Sequence, residues 1–207
     1  MNHHAQAESI KQSLALFSRA RLCHTVFACS GNGVPLAAEI KNKYFKVIFL
    51  DVGLCSAALG LNFSQINLSH DLILINQGGI AEQMVGQLLR TINPFYLKPA
   101  LFYWLREESS ANAQIDYLIQ HENQVIPVEV KAGSTGGLKS LHVFMELKKL
   151  SLAVRVNADL PSKTRVNVKN RSGDEISYQL MSIPFYLVGQ LSRLLTVTCQ
   201  QPHQRRH

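Results

Sequence analysis

The chain is 207 residues long, 46% hydrophobic and 17% charged, with a formal net charge of +7. That balance excludes a disordered tail and describes one sizeable domain, or a domain with a small appendage, built around a real core. The longest apolar runs, such as Phe45–Leu50 and Leu72–Ile75, are too short to span a bilayer. No membrane association is therefore expected. Without a charged-then-apolar leader at the start, cytoplasmic residence is the expectation.

From Ala7 to about Leu22, the spacing of Ile10, Leu14, Phe17 and Ala20 predicts an amphipathic helix. Cys23–Cys29 is a short β-like run, and Ser30-Gly31-Asn32-Gly33 a turn. Phe45–Leu50 alternates and is rich in β-formers, which predicts a strand. A short helix through Leu61 follows Asp51-Val52-Gly53, then a loop over Asn62–His70. Ile80, Met84, Val85, Leu88 and Leu89 fall at helical spacing and predict a helix over Gly79–Leu89.

Asn93-Pro94 and Lys98-Pro99 bracket a break. Beyond it, Leu101–Arg106, Ile115–Gln120 and Val125–Lys131 read as three consecutive strands. A Gly/Ser-rich turn at Gly133–Gly137 leads into a helix from about Leu138 to Lys149, and Ala153–Val156 is a further strand. Ala158–Tyr178 is polar and turn-rich and is expected to be partly disordered. Met181–Leu187 is apolar, Leu187–Leu195 is a candidate closing helix, and Gln200–His207 is expected to be mobile. The order is that of an α/β domain with a β-meander at its centre.

Between Lys131 and Arg171 nine basic residues stand against two acidic ones, Glu146 and Asp159. Such an excess suits a phosphate-rich partner, because each neutralised phosphate releases counterions; it equally suits a solvated basic surface. The four cysteines, Cys23, Cys29, Cys55 and Cys199, form no C-x-x-C pair and read as reduced, mostly buried thiols.

The chemistry concentrates in the hairpin between Ile115 and Lys131. A turn centred on Glu122-Asn123 sets Asp116 opposite Glu129, and the two-residue repeat of a strand brings Lys131 to the same face. Ile119, Ile126, Val128 and Val130 then point the other way, onto a helix. Two opposed carboxylates repel unless a cation lies between them. Mg²⁺ or Mn²⁺ suits them, with the Val130 carbonyl as a further ligand and Glu82, on the preceding helix, as a third carboxylate. Lys131 would orient or deprotonate a water and stabilise charge on an attacked phosphate. The plainer alternative is a salt bridge from Lys131 to Glu129 or Asp116 at the end of an ordinary hairpin. Lys139 and Ser140, at the start of the next helix, are candidate phosphate contacts or simply a helix start. Tyr103 and Trp104 could stack a base, but in a central strand they fit a core better. His142 fits a helix surface better than a phosphate contact.

The stretches Phe45–Leu54, Ala81-Glu82-Gln83, Tyr103-Trp104-Leu105-Arg106, Ala113–Ile119, Ile126–Gly133 and Leu138–Leu141 resemble, in order, the C-terminal domain of predicted AAA-superfamily ATPases, known as domain of unknown function 4143. The likeness runs from about Glu8 to Leu195. It implies a PD-(D/E)xK restriction-endonuclease-like core, a central mixed sheet flanked by helices, over residues 61–207. Residues 1–60 would be a winged-helix-like connector remnant and lead-in. It implies Glu82, Asp116, Glu129 and Lys131 as the metal-site positions, DNA as partner, and an ATPase module in the same or a separate polypeptide. No G-x-x-x-x-G-K-[ST] stretch occurs, so neither a nucleotide site nor ATPase activity is expected, and the chain reads as a remnant, a fragment or a free-standing version. Two functions follow as expectations: Mg²⁺-dependent hydrolysis of DNA, or a catalytically silent DNA- or protein-binding domain serving an ATPase.

Overall fold

The computed structural model describes residues 3–60, 77–106, 113–133, 137–170 and 172–200. The expected loop over Asn62–His70, the apolar run Leu72–Ile75, Arg171 and all of Gln200–His207 but its first residue lie outside them, as does most of the Gly133–Gly137 turn.

Helix α1 (His3–Arg19) precedes the β1 (Cys23–Cys29) and β2 (Ile40–Phe49) hairpin; α2 (Val52–Ala58) and α3 (Gln77–Leu89) follow. Then come β3 (Phe102–Arg106), β4 (Ala113–His121), β5 (Gln124–Val130), α4 (Lys139–Lys148) and β6 (Leu152–Asn157). The β7 (Ser162–Lys169) and β8 (Glu175–Pro184) hairpin, a 3-10 turn (Phe185–Gln190) and α5 (Leu191–Gln200) close the chain. One eight-stranded mixed sheet results, in the order β2-β1-β3-β4-β5-β6-β8-β7. It is flanked by helices, the α/β architecture expected. β1 joins β3 in parallel through Phe27–Phe102 and Ala28–Tyr103, so strands from either side of residue 60 share the sheet.

Strand alternation gives the sheet two cores. On one face Ala81, Val85 and Leu89 of α3 and Leu191 and Leu195 of α5 cover Tyr117, Ile119, Ile126, Val128, Val154 and Val156. On the other, Leu141, Phe144 and Met145 of α4 cover Phe102, Trp104, Ile115, Leu118 and Leu180. Tyr103 and Trp104 are core residues, with Trp104 edge-on to Phe144 at 4.9 Å between ring centroids. Helix α4 stops where Lys149 turns left-handed, at φ 50°, and its N–H bonds back to the Glu146 and Met145 carbonyls. Cys23, Cys29 and Cys55 are buried free thiols, as read from their scatter, while Cys199 is exposed.

The polar stretch from Ala158 to Tyr178, expected to be partly disordered, is mostly the β7–β8 hairpin, paired from Ser162–Ser182 to Lys169–Glu175. β7 lies at the sheet edge, and its first four residues are exposed, so no buried alternation marks it as a strand. Its order comes from backbone pairing and from a turn in which the Asp174 N–H donates to the Asn170 side chain and Gly173 takes φ 92°.

Candidate functional site

The β4–β5 hairpin turns at Glu122, which takes φ 52°, and pairs Tyr117 with Val128 and Leu118 with Pro127. This is the register anticipated from the sequence, but the pairing stops one step short of Asp116 and Glu129. β3 explains why. Phe102 pairs with Leu118 but Trp104 with Ile115, so three residues of β4 are spent against two of β3. That β-bulge bends β4 away from β5 around Asp116 and opens a fork. β5 stays paired with β6 on its other side, through Val130–Val156 and a Lys131 N–H to Val156 carbonyl bond of 2.8 Å.

The fork leaves the Val130 N–H facing β4 without a backbone partner, and the Asp116 carboxylate accepts it at 2.8 Å. A strand residue's N–H and C=O point to the same side, so the Val130 carbonyl faces the fork as well. Glu129 is only 6% exposed. One of its oxygens accepts from Lys131 Nζ at 2.8 Å, the salt bridge the sequence allowed. Its other oxygen, Oε2, is buried with no hydrogen-bond partner among the described residues. A buried carboxylate oxygen left bare costs about 1–3 kcal/mol or more, so this atom waits for a donor or a cation.

Both carboxyls resist ionisation. Burial, then the neighbouring Glu129 and Glu82 charges, pushes Asp116 from 3.8 up to about 7. Burial also raises Glu129, against the opposing pull of Lys131.

Glu82 stands on α3, over the opposite face of the sheet, and Lys46 of β2 holds it. The Lys46 ammonium donates to a Glu82 carboxylate oxygen and to the Asp116 backbone carbonyl. It lies 4.5 Å from the Tyr117 ring centroid and 5.0 Å from that of Tyr103. Beneath it the Tyr117 hydroxyl donates to the Glu82 carbonyl at 2.8 Å, made possible by Gly86, where a Cβ would fall 2.3 Å from that hydroxyl. The constellation thus straddles the sheet at the β4–β5 fork, with Lys46 and Glu82 on the α3 side, Glu129 and Lys131 toward α4, and Asp116 between. Among the described residues, no three His, Cys, Asp or Glu side chains gather closely enough to hold a metal ion.

The fit to a divalent cation is therefore that of a pair. Asp116 lies near enough to Glu129 to feel its charge, and strand geometry turns the Val130 carbonyl toward the same fork, so water or phosphate oxygens would complete the shell. Glu82 does not join them while Lys46 holds it. Lys139 is exposed and Ser140 half-buried at the first turn of α4, where no side chain caps the helix. His142 is packed inward, its ring nitrogen 3.0 Å from the Tyr178 hydroxyl.

Sequence reasoning missed Lys46, 70 residues upstream of the carbonyl it binds, and also Arg155 and Asn157. Arg155 stands beside Glu129 in the backbone register of β5 and β6 and donates to Ser182; Asn157, fully buried, leaves Oδ1 unpartnered among the described residues. Only the β5–β6 register reveals these neighbours, and no local pattern carries it.

Residues 77–184, a little over half of the chain, match the family model described as domain of unknown function (DUF4143). Residues 1–65 match a second, described as domain of unknown function (DUF8612). No curated protein matches the chain, and neither does a solved structure.

Proposed function

The chain belongs to the family described as domain of unknown function (DUF4143), and from that premise we propose that its β4–β5 fork is a PD-(D/E)xK-type site for Mg²⁺- or Mn²⁺-dependent hydrolysis of DNA phosphodiesters. One observation carries the reading: a buried carboxylate pair, Asp116 and Glu129, with a bare oxygen on Glu129 and Lys131 beside it. Raised pKa values on two adjoining carboxyls are what a site adapted to a cation shows without one.

Asp116, Glu129 and the Val130 carbonyl would hold the metal, which supplies an acidified water and a charge against the phosphate. Lys131, a quarter exposed, reaches from the rim of the fork. It orients the attacking water and donates to a phosphate oxygen as negative charge gathers there. Water oxygen bonds to phosphorus, the bond to one sugar oxygen breaks, and that oxygen leaves with a proton. The ATPase that the resemblance implies would act from the same or another polypeptide, since this chain carries no phosphate-cradling loop.

A second reading has its own observation. Lys46 already neutralises Glu82 and Lys131 already neutralises one Glu129 oxygen, which suits a catalytically silent DNA- or protein-binding domain. Plasmid, linear and four-way-junction DNA incubated with Mg²⁺ or Mn²⁺, beside Asp116→Ala and Lys131→Ala, separates the two. Cleavage abolished by both substitutions is the expected result. Cleavage that survives both overturns the nuclease reading, and salt-sensitive binding without cleavage favours the second.

A further inference from the structure

The Lys46 ammonium has the surroundings of a bound cation more than those of a surface lysine. Two oxygens, from the Glu82 carboxylate and the Asp116 carbonyl, and two ring faces, from Tyr103 and Tyr117, enclose it. Its side chain is 21% exposed, though it lies on a strand near the sheet margin, where a lysine would ordinarily reach into water. Its neighbours Tyr44 and Ile48 belong to the α3-side core, so alternation directs Lys46 inward with them. The charge also acts on the fork beyond Glu82, since it opposes the rise in pKa of both Asp116 and Glu129.

We propose that Lys46 is the site's resident cation, which holds Glu82 out of the metal shell and competes with a divalent ion for that carboxylate. The inference rests on the fork being a divalent-cation site. Two positive charges cannot share Glu82 at contact distance without strong repulsion. With Lys46 in place, the metal is held by the Asp116–Glu129 pair alone and is bound weakly. With Lys46 displaced, for instance toward a phosphate of bound nucleic acid, Glu82 is released to the metal. Occupation by metal and by polyanion then reinforce each other.

The test is Mn²⁺ affinity of the full chain without DNA, read as free Mn²⁺ by electron paramagnetic resonance. Lys46→Met keeps an unbranched side chain one atom shorter, which still packs beside the two rings, and removes the charge. It is expected to bind Mn²⁺ at least about tenfold more tightly than the wild type. Adding Glu82→Gln to Lys46→Met should erase that gain. Lys46→Arg should stay at wild-type affinity, and Glu82→Gln alone should change it by less than about twofold, because Glu82 is not yet a ligand.

Unchanged or weaker binding by a folded Lys46→Met protein overturns the proposal. So does a tenfold loss in Glu82→Gln alone, a result that holds even where Lys46→Met fails to fold. A Lys46→Met protein that gains Mn²⁺ while no variant cuts DNA leaves this inference standing and removes the nuclease reading. A wild type that cuts DNA beside a Lys46→Met protein with unaltered affinity does the reverse.

Discussion

The β4–β5 fork and the β7–β8 ribbon both concentrate charge, and they hold it in opposite ways. At the fork, Lys46, Glu82, Asp116, Glu129 and Lys131 come from distant parts of the chain, are at least partly buried, and take protein groups as partners. On β7, Lys163, Arg165 and Lys169 follow one another closely in sequence and stand exposed along the sheet edge. Water and salt screen the second set, so each charge there is nearly independent of the rest. In the first set, removing one member leaves another buried and uncompensated. The contrast shows that a dense run of charge in sequence is a poor guide to where charge has consequences. The fold spreads the basic stretch over a rim, a helix and an edge, and gathers the consequential five from elsewhere.

Substitutions on either side can break or sharpen that contrast. Tyr117 is fully buried under Lys46 and bonds to the α3 backbone, so Tyr117→Ala is expected to cost about 3–5 kcal/mol in urea denaturation. A loss under about 1 kcal/mol would mean that the fork is far looser than its contacts imply.

Asp116 predicts an unusual pH dependence. Its carboxyl titrates at about 7 folded against 3.8 when free. Between those values the folded chain keeps a proton that the unfolded chain has released, so stability falls as pH rises through that window. Burial raises Glu129 in the same direction. Asp116→Asn retains an oxygen for the Val130 N–H and removes the titration. In EDTA it should be more stable than wild type by roughly 4 kcal/mol at pH 8 and within about 1 kcal/mol of it near pH 4. Denaturation curves at both pH values check this, and a less stable variant at pH 8 would reverse the sign.

Gly86→Ala puts a Cβ 2.3 Å from the Tyr117 hydroxyl and 3.0 Å from Ile48. Overpacking of about 1–3 kcal/mol, less up to about 1 regained from helix propensity, leaves a net destabilisation readable in the thermal midpoint. On the ribbon, Lys163→Ala and Lys169→Ala should each fall within about 0.5 kcal/mol of wild type. An effect of several times that would give the edge a structural role its exposure does not suggest.

The hairpin register was legible because turn position and alternation between them fix which residues oppose, and Tyr117–Val128 obeys that rule. The escape of Asp116 from the pairing was not, because it depends on a bulge set by β3, whose alignment no local pattern encodes. Nor was Lys46: on a strand it reads as one more lysine between apolar neighbours, and only the parallel β1–β3 joint carries β2 toward the site. The β7–β8 hairpin stayed hidden because an edge strand with exposed residues on both faces has the composition of a loop.

The ion pair between Lys46 and Glu82 also has a modular consequence. Lys46 falls within the segment matched by one family model, residues 1–65, while Glu82, Asp116 and Glu129 fall within the other, residues 77–184. A protein assembled from the second segment and a different leading one would keep every carboxylate and exchange their counter-ion. Excising the first segment would bare the edge of β3 and strip the acidic cluster of its ammonium in a single cut. The tuning of the site is thus portable separately from its chemistry.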